Sequence, residues 1–560
     1  MNEAELQEKL KRSADFRAAG ADRDQVFPVL SPAQLARLAP LARERRFQDG
    51  APIFEMGDRH LPLLVLLEGE IAILTGDDQV MTHHGPGTFT GDVDLLSGRP
   101  VIVKARARGA TRVLEIPAER LRSLVQTDAE LSETFLRAFL LRRLGLLELG
   151  LGGLVLIGSR HSAGTLELQE FLTRNSQPHA YLDLERDPAV EQALATFQVC
   201  ADDLPVLICM GRHVMKKPTL GEVAGCLDLN RVDEALHDLV VIGAGPAGLA
   251  SAVYGASEGL DVLVVEANAP GGQAGSSSRI ENYLGFSTGI SGQNLARQAL
   301  LQSQKFGAKL AVARAAAHLA CDRRPFRVQV GEETFVRART VIVATGVRYR
   351  RPDVPDLGRF EGVGVYYGAT QIEANACRAE DVVVVGGGNS AGQAAVFLAG
   401  QGCRVHLLVR GAGLGETMSR YLIRRIEENP SIVLRTRTQI EALEGNGRLQ
   451  RVRWHDAASG ESTTAEIRHV FLMTGASPNT AWLDGCVALD SKGFVKTGQD
   501  LGPGDGWPLE RPPLLFETSV PGVFAVGDVR AGSVKRVAAA VGEGSVCVQL
   551  VHRVLAEAAF

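Results

Sequence analysis

The stretch HDLVVIGAGPAGLASAVYGASEGLDVLVVEA (residues 237–267) decides how this chain is read. A continuous apolar run reads as a buried strand, a glycine turn follows, small residues then run at helical spacing, and a second apolar strand ends in Glu266. Gly243 makes the tight turn, Gly245 lets the backbone approach a pyrophosphate, and Gly248 permits close helix packing. The helix N-terminus turns unpaired N–H groups toward the phosphates, and Glu266, about 20 residues on, can accept hydrogen bonds from a ribose 2′-hydroxyl. The glycine spacing alone would carry little. With its strand, helix and acid in order it marks a dinucleotide-binding unit.

A second such unit follows in DVVVVGGGNSAGQAAVFLAGQGCRVHLLVR (residues 381–410), where Gly386, Gly388 and Ala391 fill the three small-residue positions. Two dinucleotide units imply two cofactors. Between and after them come VIVATG (341–346), FLMTGASPNT (471–480, with Gly475 and Asn479) and GVFAVGD (522–528). In this order the motifs resemble the two-domain flavin disulfide reductases. Within them GGQAGSSSRIENYLGF (271–286) and RVAAAVGEG (536–544) look most like the low-molecular-weight thioredoxin reductases.

That resemblance covers the chain from about residue 236 onward and implies tandem Rossmann-like domains for FAD and NAD(P). Carried over residue by residue, it implies FAD contacts at Gly243, Gly245, Pro246, Ala247, Gly248, Glu266, Gly272, Gln273, Asn282, Thr345, Gly346, Asp528 and Ala538, with Gly475, Gly527 and Val537 in the same motifs. Asp528 would hydrogen-bond the ribityl chain. The helix starting near Arg536 would aim its positive dipole end at the flavin N1/O2 edge. The nicotinamide nucleotide would lie on Gly386, Gly388, Asn389, Ser390 and Ala391. At the end of the second strand, LLVRGAGLG offers Arg410 and no acid, which favours the 2′-phosphate of NADPH and leaves NADH open.

One departure changes the chemistry. Where thioredoxin reductases have Cys-Ala-Thr-Cys, this chain reads Gly368-Ala369-Thr370-Gln371, so both sulfurs are missing and the usual route to a protein disulfide is blocked. Hydride transfer itself needs positioning more than acid–base side chains, and no catalytic residue is named. The leading expectation is an FAD-dependent oxidoreductase that takes hydride from NAD(P)H and passes electrons to an unidentified acceptor: oxygen, a quinone, an iron–sulfur or flavin protein, or a dithiol protein reached indirectly. The alternative is a redox sensor or scaffold whose flavin is reduced without turnover.

Two further segments precede this one. Residues 1–150 read as a β-roll with flanking helices, and FQDGAPIFEMGDRHLPLLVLLEGEIAIL (47–74) resembles cyclic-nucleotide-binding domains, with Gly50, Gly57 and Gly69 turning hairpins. In the phosphate-binding run, GDVDLLSGRPVIVKARA (91–107), Asp92 replaces the family's glutamate and Val101 its arginine, with Arg99 and Lys104 nearby but out of position. Losing that arginine should weaken phosphate binding by about 10- to 150-fold, so a roll used for contacts or another ligand is the competing expectation. Residues 151–232 alternate strands and helices and resemble a thioredoxin or glutaredoxin fold, with Leu204-Pro205 before a strand and Ser159-Arg160-His161-Ser162 where a Cys-x-x-Cys would stand. His161 also fits an exposed loop residue at a helix start. The remaining boundaries are 233–353 with 477–560 for the FAD domain and 354–476 for the NAD(P) domain. The fold class is thus multidomain α/β.

Composition agrees with a folded, water-facing chain. The 560 residues carry a net charge of −5 and no long Lys/Arg run, which argues against nucleic acid as a partner. Residues 1–11 lack the apolar core of a signal peptide, and residues 144–158 are interrupted by Glu148 and too short to span a membrane, so a cytoplasmic location is expected. The eight cysteines form no Cys-x-x-Cys and read as small buried hydrophobes, with no metal site. The resemblance implies a homodimer, and the Pro/Gly-rich run 502–513 reads as a mobile surface insertion.

Overall fold

A computed structural model describes residues 23–149, 153–187, 190, 199–209, 213–232, 234–277, 279–331, 334–483 and 485–557. The amino-terminal run 1–11, and residues 188–189 and 191–198 of the segment expected to be thioredoxin-like, lie outside them. The chain divides into two compact units: residues 1–159, 171–231 and 301–313 form one, and residues 160–170, 232–300 and 314–560 the other.

The first unit is built on two long antiparallel strands, Leu63–Leu74 and Lys104–Ile116, paired from Leu63 opposite Ile116 to Leu74 opposite Lys104. Arg43–Phe47 and Pro52–Phe54 pair with the second of these, and Val80–His84 with the first. Gly69, expected to turn a hairpin, instead lies inside the strand Leu63–Leu74 at a shift of its register against Lys104–Ile116, with φ +81° and a notional Cβ 2.6 Å from the carbonyl oxygen of Ala110, so only glycine fits. Inward-facing Leu63, Val65 and Ile116 pack on Phe89, Phe135 and Phe139, the last two carried by the long helix Ala129–Leu149. A separate four-stranded sheet runs Ala180–Asp183, Leu154–Gly158, Val206–Cys209, His213–Lys216, its first pair parallel and the others antiparallel. The Leu204–Pro205 peptide beside it is cis. No helix among the described residues is long and apolar enough to cross a membrane.

In the second unit, strand Leu236–Ile242 lies between Val262–Glu266 and Thr334–Val343, all parallel, with Val523–Ala525 also parallel to Thr334–Val343. Phe326–Val330 and Ala316–Ala320 continue the sheet antiparallel. A second, wholly parallel sheet runs Val365–Tyr366, His469–Leu472, Asp381–Val385, Arg404–Val409, Ile432–Thr436. Parallel strands are covered on both faces, which is why these segments are near-continuous Val, Ile and Leu. Helices Pro246–Ser257 and Val537–Glu557 pack so closely that a Cβ on Gly544 would overlap the carbonyl oxygen of Ala247.

Two expectations are corrected. Four cysteines are joined in disulfides, Cys209–Cys226 and Cys321–Cys486, across sequence separations of 17 and 165 that local spacing cannot reveal. The 502–513 run is anchored rather than loose. Asp505 accepts from Gly502 N (2.6 Å) and Lys496 Nζ (3.1 Å), and Arg511 donates to the fully buried Glu517 (2.7 and 3.0 Å).

Candidate functional site

The first glycine turn is shaped by what each missing Cβ would strike. Gly243 sits at φ +105°, and a side chain there or at Gly248 would overlap a backbone carbonyl, of Ala344 and Gly243 respectively. Gly245 differs. Its backbone is extended (φ −69°, ψ −179°), and the nearest atom to an added Cβ is Gly272 Cα at 4.0 Å, so the space beside it is open. Gly245 caps helix Pro246–Ser257 without any side-chain cap, and since Pro246 carries no N–H, the first-turn donors left facing that space are those of the buried Ala247 and Gly248. Gly272, at φ +52°, crosses the same turn, and Gly271 N donates to Ala244 O (2.8 Å). Glu266 is held in place by Ala244 N (2.7 Å) and Asn268 N (2.9 Å), the carboxylate orienting itself at the strand end.

Around this turn the other expected FAD residues divide into fixed and open groups. Gln273 Nε2 donates to Val347 O (2.6 Å), while Thr345 and Asn479 clasp each other, Thr345 Oγ1 to Asn479 O (2.9 Å) and Asn479 Nδ2 to Thr345 O (3.0 Å). Gly346 (φ +59°) and Gly475 (φ +87°) have nothing within 4 Å of a notional Cβ. Asn282 is exposed on its loop. Asp528 follows Gly527 in a short turn, and its carboxylate makes no hydrogen bond among the described residues although burial raises its pKa. Val537 and Ala538 open the helix Val537–Glu557, with Ala538 exposed. An open glycine flank, an unengaged half-buried carboxylate and two open helix N-termini are what FAD needs, and the residues fit it. Composition gave no hint of Glu543, which accepts from Gly527 N (2.6 Å) and pairs with Arg530 (2.6 Å), clamping the Asp528 turn onto the last helix.

The second turn repeats the logic. Gly386 lies at φ +145° with a notional Cβ 2.5 Å from Met473 O, whereas Gly388 caps helix Asn389–Gly400 with nothing nearer than Thr417 O at 4.0 Å. Asn389 Oδ1 accepts from Ser419 N (2.8 Å), Ser390 is exposed, and Ala391 is fully buried. Arg410 stands exposed at the strand end. Two residues were missed by the motif reading. Thr417 Oγ1 donates to Gly387 O (2.7 Å), and the Ser419 hydroxyl, at the start of helix Arg420–Glu427, is buried without a partner among the described residues. A serine just before an apolar-periodic helix was the available signal.

A Cβ on Gly368 would be 3.9 Å from Ser276 Cβ, within the 271–286 run. Ala369 is buried, and Thr370 caps helix Gln371–Ala376: Glu373 accepts from Thr370 N (2.8 Å) and from its hydroxyl. A capping box thus opens this helix, and the side chain of Gln371 is outside the described residues. Cys377, without a partner in its own run, lies with its sulfur 3.9 Å from that of Cys403.

Residues 237–544 match the family model for pyridine nucleotide-disulphide oxidoreductases. The chain belongs to that family. Its members are NAD(P)H-dependent flavin oxidoreductases, and the thioredoxin reductase branch uses FAD and NADPH. Residues 44–128 separately match the cyclic nucleotide-binding domain. Among relatives, the thioredoxin reductase of Mycolicibacterium smegmatis is 33% identical over 58% of this chain and 98% of its own length. The NADPH-dependent thioredoxin reductase 3 of Arabidopsis thaliana is 31% identical over 58% of this chain and 59% of its own. Among solved structures, Lactococcus lactis thioredoxin reductase in its FR conformation superposes with a TM-score of 0.51 at 25% identity, covering 57% of this chain and 100% of that one. The T. acidophilum thioredoxin reductase gives 0.50 at 26% identity, covering 57% and 98%.

Proposed function

We propose that this chain oxidises NADPH at the FAD site and delivers the electron pair to an acceptor that meets the flavin directly, without a Cys-x-x-Cys relay. When bound, FAD takes a hydride from the nicotinamide and gives up two electrons to the acceptor in a separate half-reaction. The protein's part is positioning. Gly245 and Gly388 leave room for the two pyrophosphates over helix N-termini, Asp528 orients the ribityl chain, and Arg410 selects the 2′-phosphate.

What supports this reading is that Gly368 and Gln371 carry no sulfur on either side of the Ala369-Thr370 pair, with a Cβ on Gly368 lying 3.9 Å from Ser276 Cβ. Cys377 and Cys403 do not replace the relay for a protein substrate, because both are buried (0% and 1% exposed) in the core of the nucleotide lobe. We read residues 151–232 as a thioredoxin-like module, which the parallel-then-antiparallel strand order supports, and the assembly as a homodimer by analogy with the thioredoxin reductases.

The test is anaerobic mixing of the purified yellow protein with NADPH, followed by oxygen, a quinone or oxidised thioredoxin. Bleaching of the flavin with sustained NADPH consumption by oxygen or quinone supports the proposal. Turnover with thioredoxin alone, abolished by Cys377→Ser, overturns the direct route, and bleaching without turnover makes the protein a sensor.

A further inference from the structure

The first unit contains a cavity that the oxidoreductase reading does not use. It measures about 80 Å³, and its walls are mostly apolar: Phe54, Ile73, Met81, Leu95, Ile102 and Leu146. Arg142, from the long helix Ala129–Leu149, projects into it and is only 5% exposed. Its Nε donates to Val26 O (3.0 Å) and its Nη1 to Gly91 O (2.8 Å), while the guanidinium lies over the rings of Phe89 (4.7 Å) and Phe27 (5.2 Å). Its Nη2 has no hydrogen-bond partner among the described residues.

The next residue supplies the contrast. Arg143 pairs with both carboxylates at the cavity, Asp92 (2.8 Å) and Asp94, so neither hydrogen-bonds Arg142, on which Asp92 acts only through its charge. Burial lowers the Arg142 pKa to about 9, which still leaves it cationic at neutral pH, and His84 beside it is held uncharged by burial and by Arg142. Arg99 adds a second guanidinium to the lining, while Lys104 is engaged by Asp78 (2.8 Å). A buried guanidinium with an unpaired N–H group is costly, and an acceptor in the cavity would relieve that cost.

Size then limits the anion. At about 80 Å³ the space is about half that of a closed cavity that holds benzene (~150 Å³), so it takes the end of a narrow chain, and because it is partly open the rest of the chain extends through its mouth. Val101, at the position of the phosphate-clamping arginine, lines it as another apolar wall. We propose that this cavity binds a short-chain aliphatic carboxylate, its tail against Ile73, Met81 and Ile102 and its carboxylate accepting from Arg142 Nη2. This goes beyond the flavin chemistry and is tested apart from it.

The experiment is calorimetric titration of the full-length, FAD-loaded protein with hexanoate, hexanamide and cyclic AMP. Saturable one-to-one binding of hexanoate, with hexanamide weaker by about 10- to 150-fold, is expected for one charge-assisted hydrogen bond. Arg142→Gln should weaken hexanoate by a similar factor. That variant also frees the carbonyls of Val26 and Gly91, so the comparison of hexanoate with hexanamide on the unaltered protein decides if it fails to fold. Equal affinity for the amide, no binding of hexanoate, or displacement of hexanoate by cyclic AMP each overturns the proposal.

Discussion

Two glycines three residues apart should fail in opposite ways. At Gly245 a valine would adopt the existing extended backbone, which the following proline already favours, and its Cβ would meet nothing nearer than 4.0 Å. The fold should survive with its melting temperature nearly unchanged. The new side chain would instead fill the space over the helix N-terminus where the pyrophosphate belongs. Each hydrogen bond lost to a charged group contributes about 1.5–3 kcal/mol, so displacing the pyrophosphate by even one such bond weakens FAD about 10- to 150-fold. At Gly248, by contrast, even alanine would overlap the carbonyl oxygen of Gly243 and press on Ala344 Cβ at 3.3 Å. The obstacle there is backbone, so the cost should reach or exceed the roughly 1–3 kcal/mol typical of overpacking, a large share of a domain's ~5–15 kcal/mol. The assay is the flavin-to-protein ratio after dialysis, with calorimetric melting of the flavin-free proteins. Gly245→Val should give a colourless, stable protein and Gly248→Ala an unstable one. Full flavin in Gly245→Val, or wild-type melting of apo Gly248→Ala, would refute the assignment of these roles.

Four further outcomes are expected. Arg410→Ala should raise KM for NADPH roughly tenfold, the loss of one exposed charge-assisted bond, and leave KM for NADH unchanged in steady-state assays. Glu543→Ala strips the partner from Arg530, itself 17% exposed, and the acceptor from Gly527 N, so calorimetry should show a loss of about 3–5 kcal/mol together with weaker flavin retention. His469 has its pKa lowered to about 4 by burial, so the unfolded chain takes up its proton first; stability should fall as pH drops from about 6.5 to about 4, by at most about 3 kcal/mol, and His469→Gln should flatten that limb in pH-dependent denaturant melts. Thiol titration in denaturant should find four free cysteines before reduction and eight after it, and reduction should lower the melting temperature through loss of the Cys321–Cys486 link.

Much of the redox site is legible in the chain because its demands are local. A tight turn, a close backbone approach and an acid at a strand end are each met within about 30 residues, so the motifs around Gly243, Glu266 and Gly386 could be read in order, and the absence of sulfur at Gly368 and Gln371 is a matter of identity alone. What tertiary structure decided lies between residues far apart in sequence. Glu543 reaches Gly527 only because the last helix packs across Pro246–Ser257, Cys321 finds Cys486 across 165 residues, and Ser419 meets Asn389 only once the second lobe closes. Arg142 and Arg143 are adjacent and chemically identical in the sequence. Packing gives Arg143 two carboxylates and gives Arg142 ring faces, two carbonyls and an open cavity, because one turn of helix points successive side chains about 100° apart.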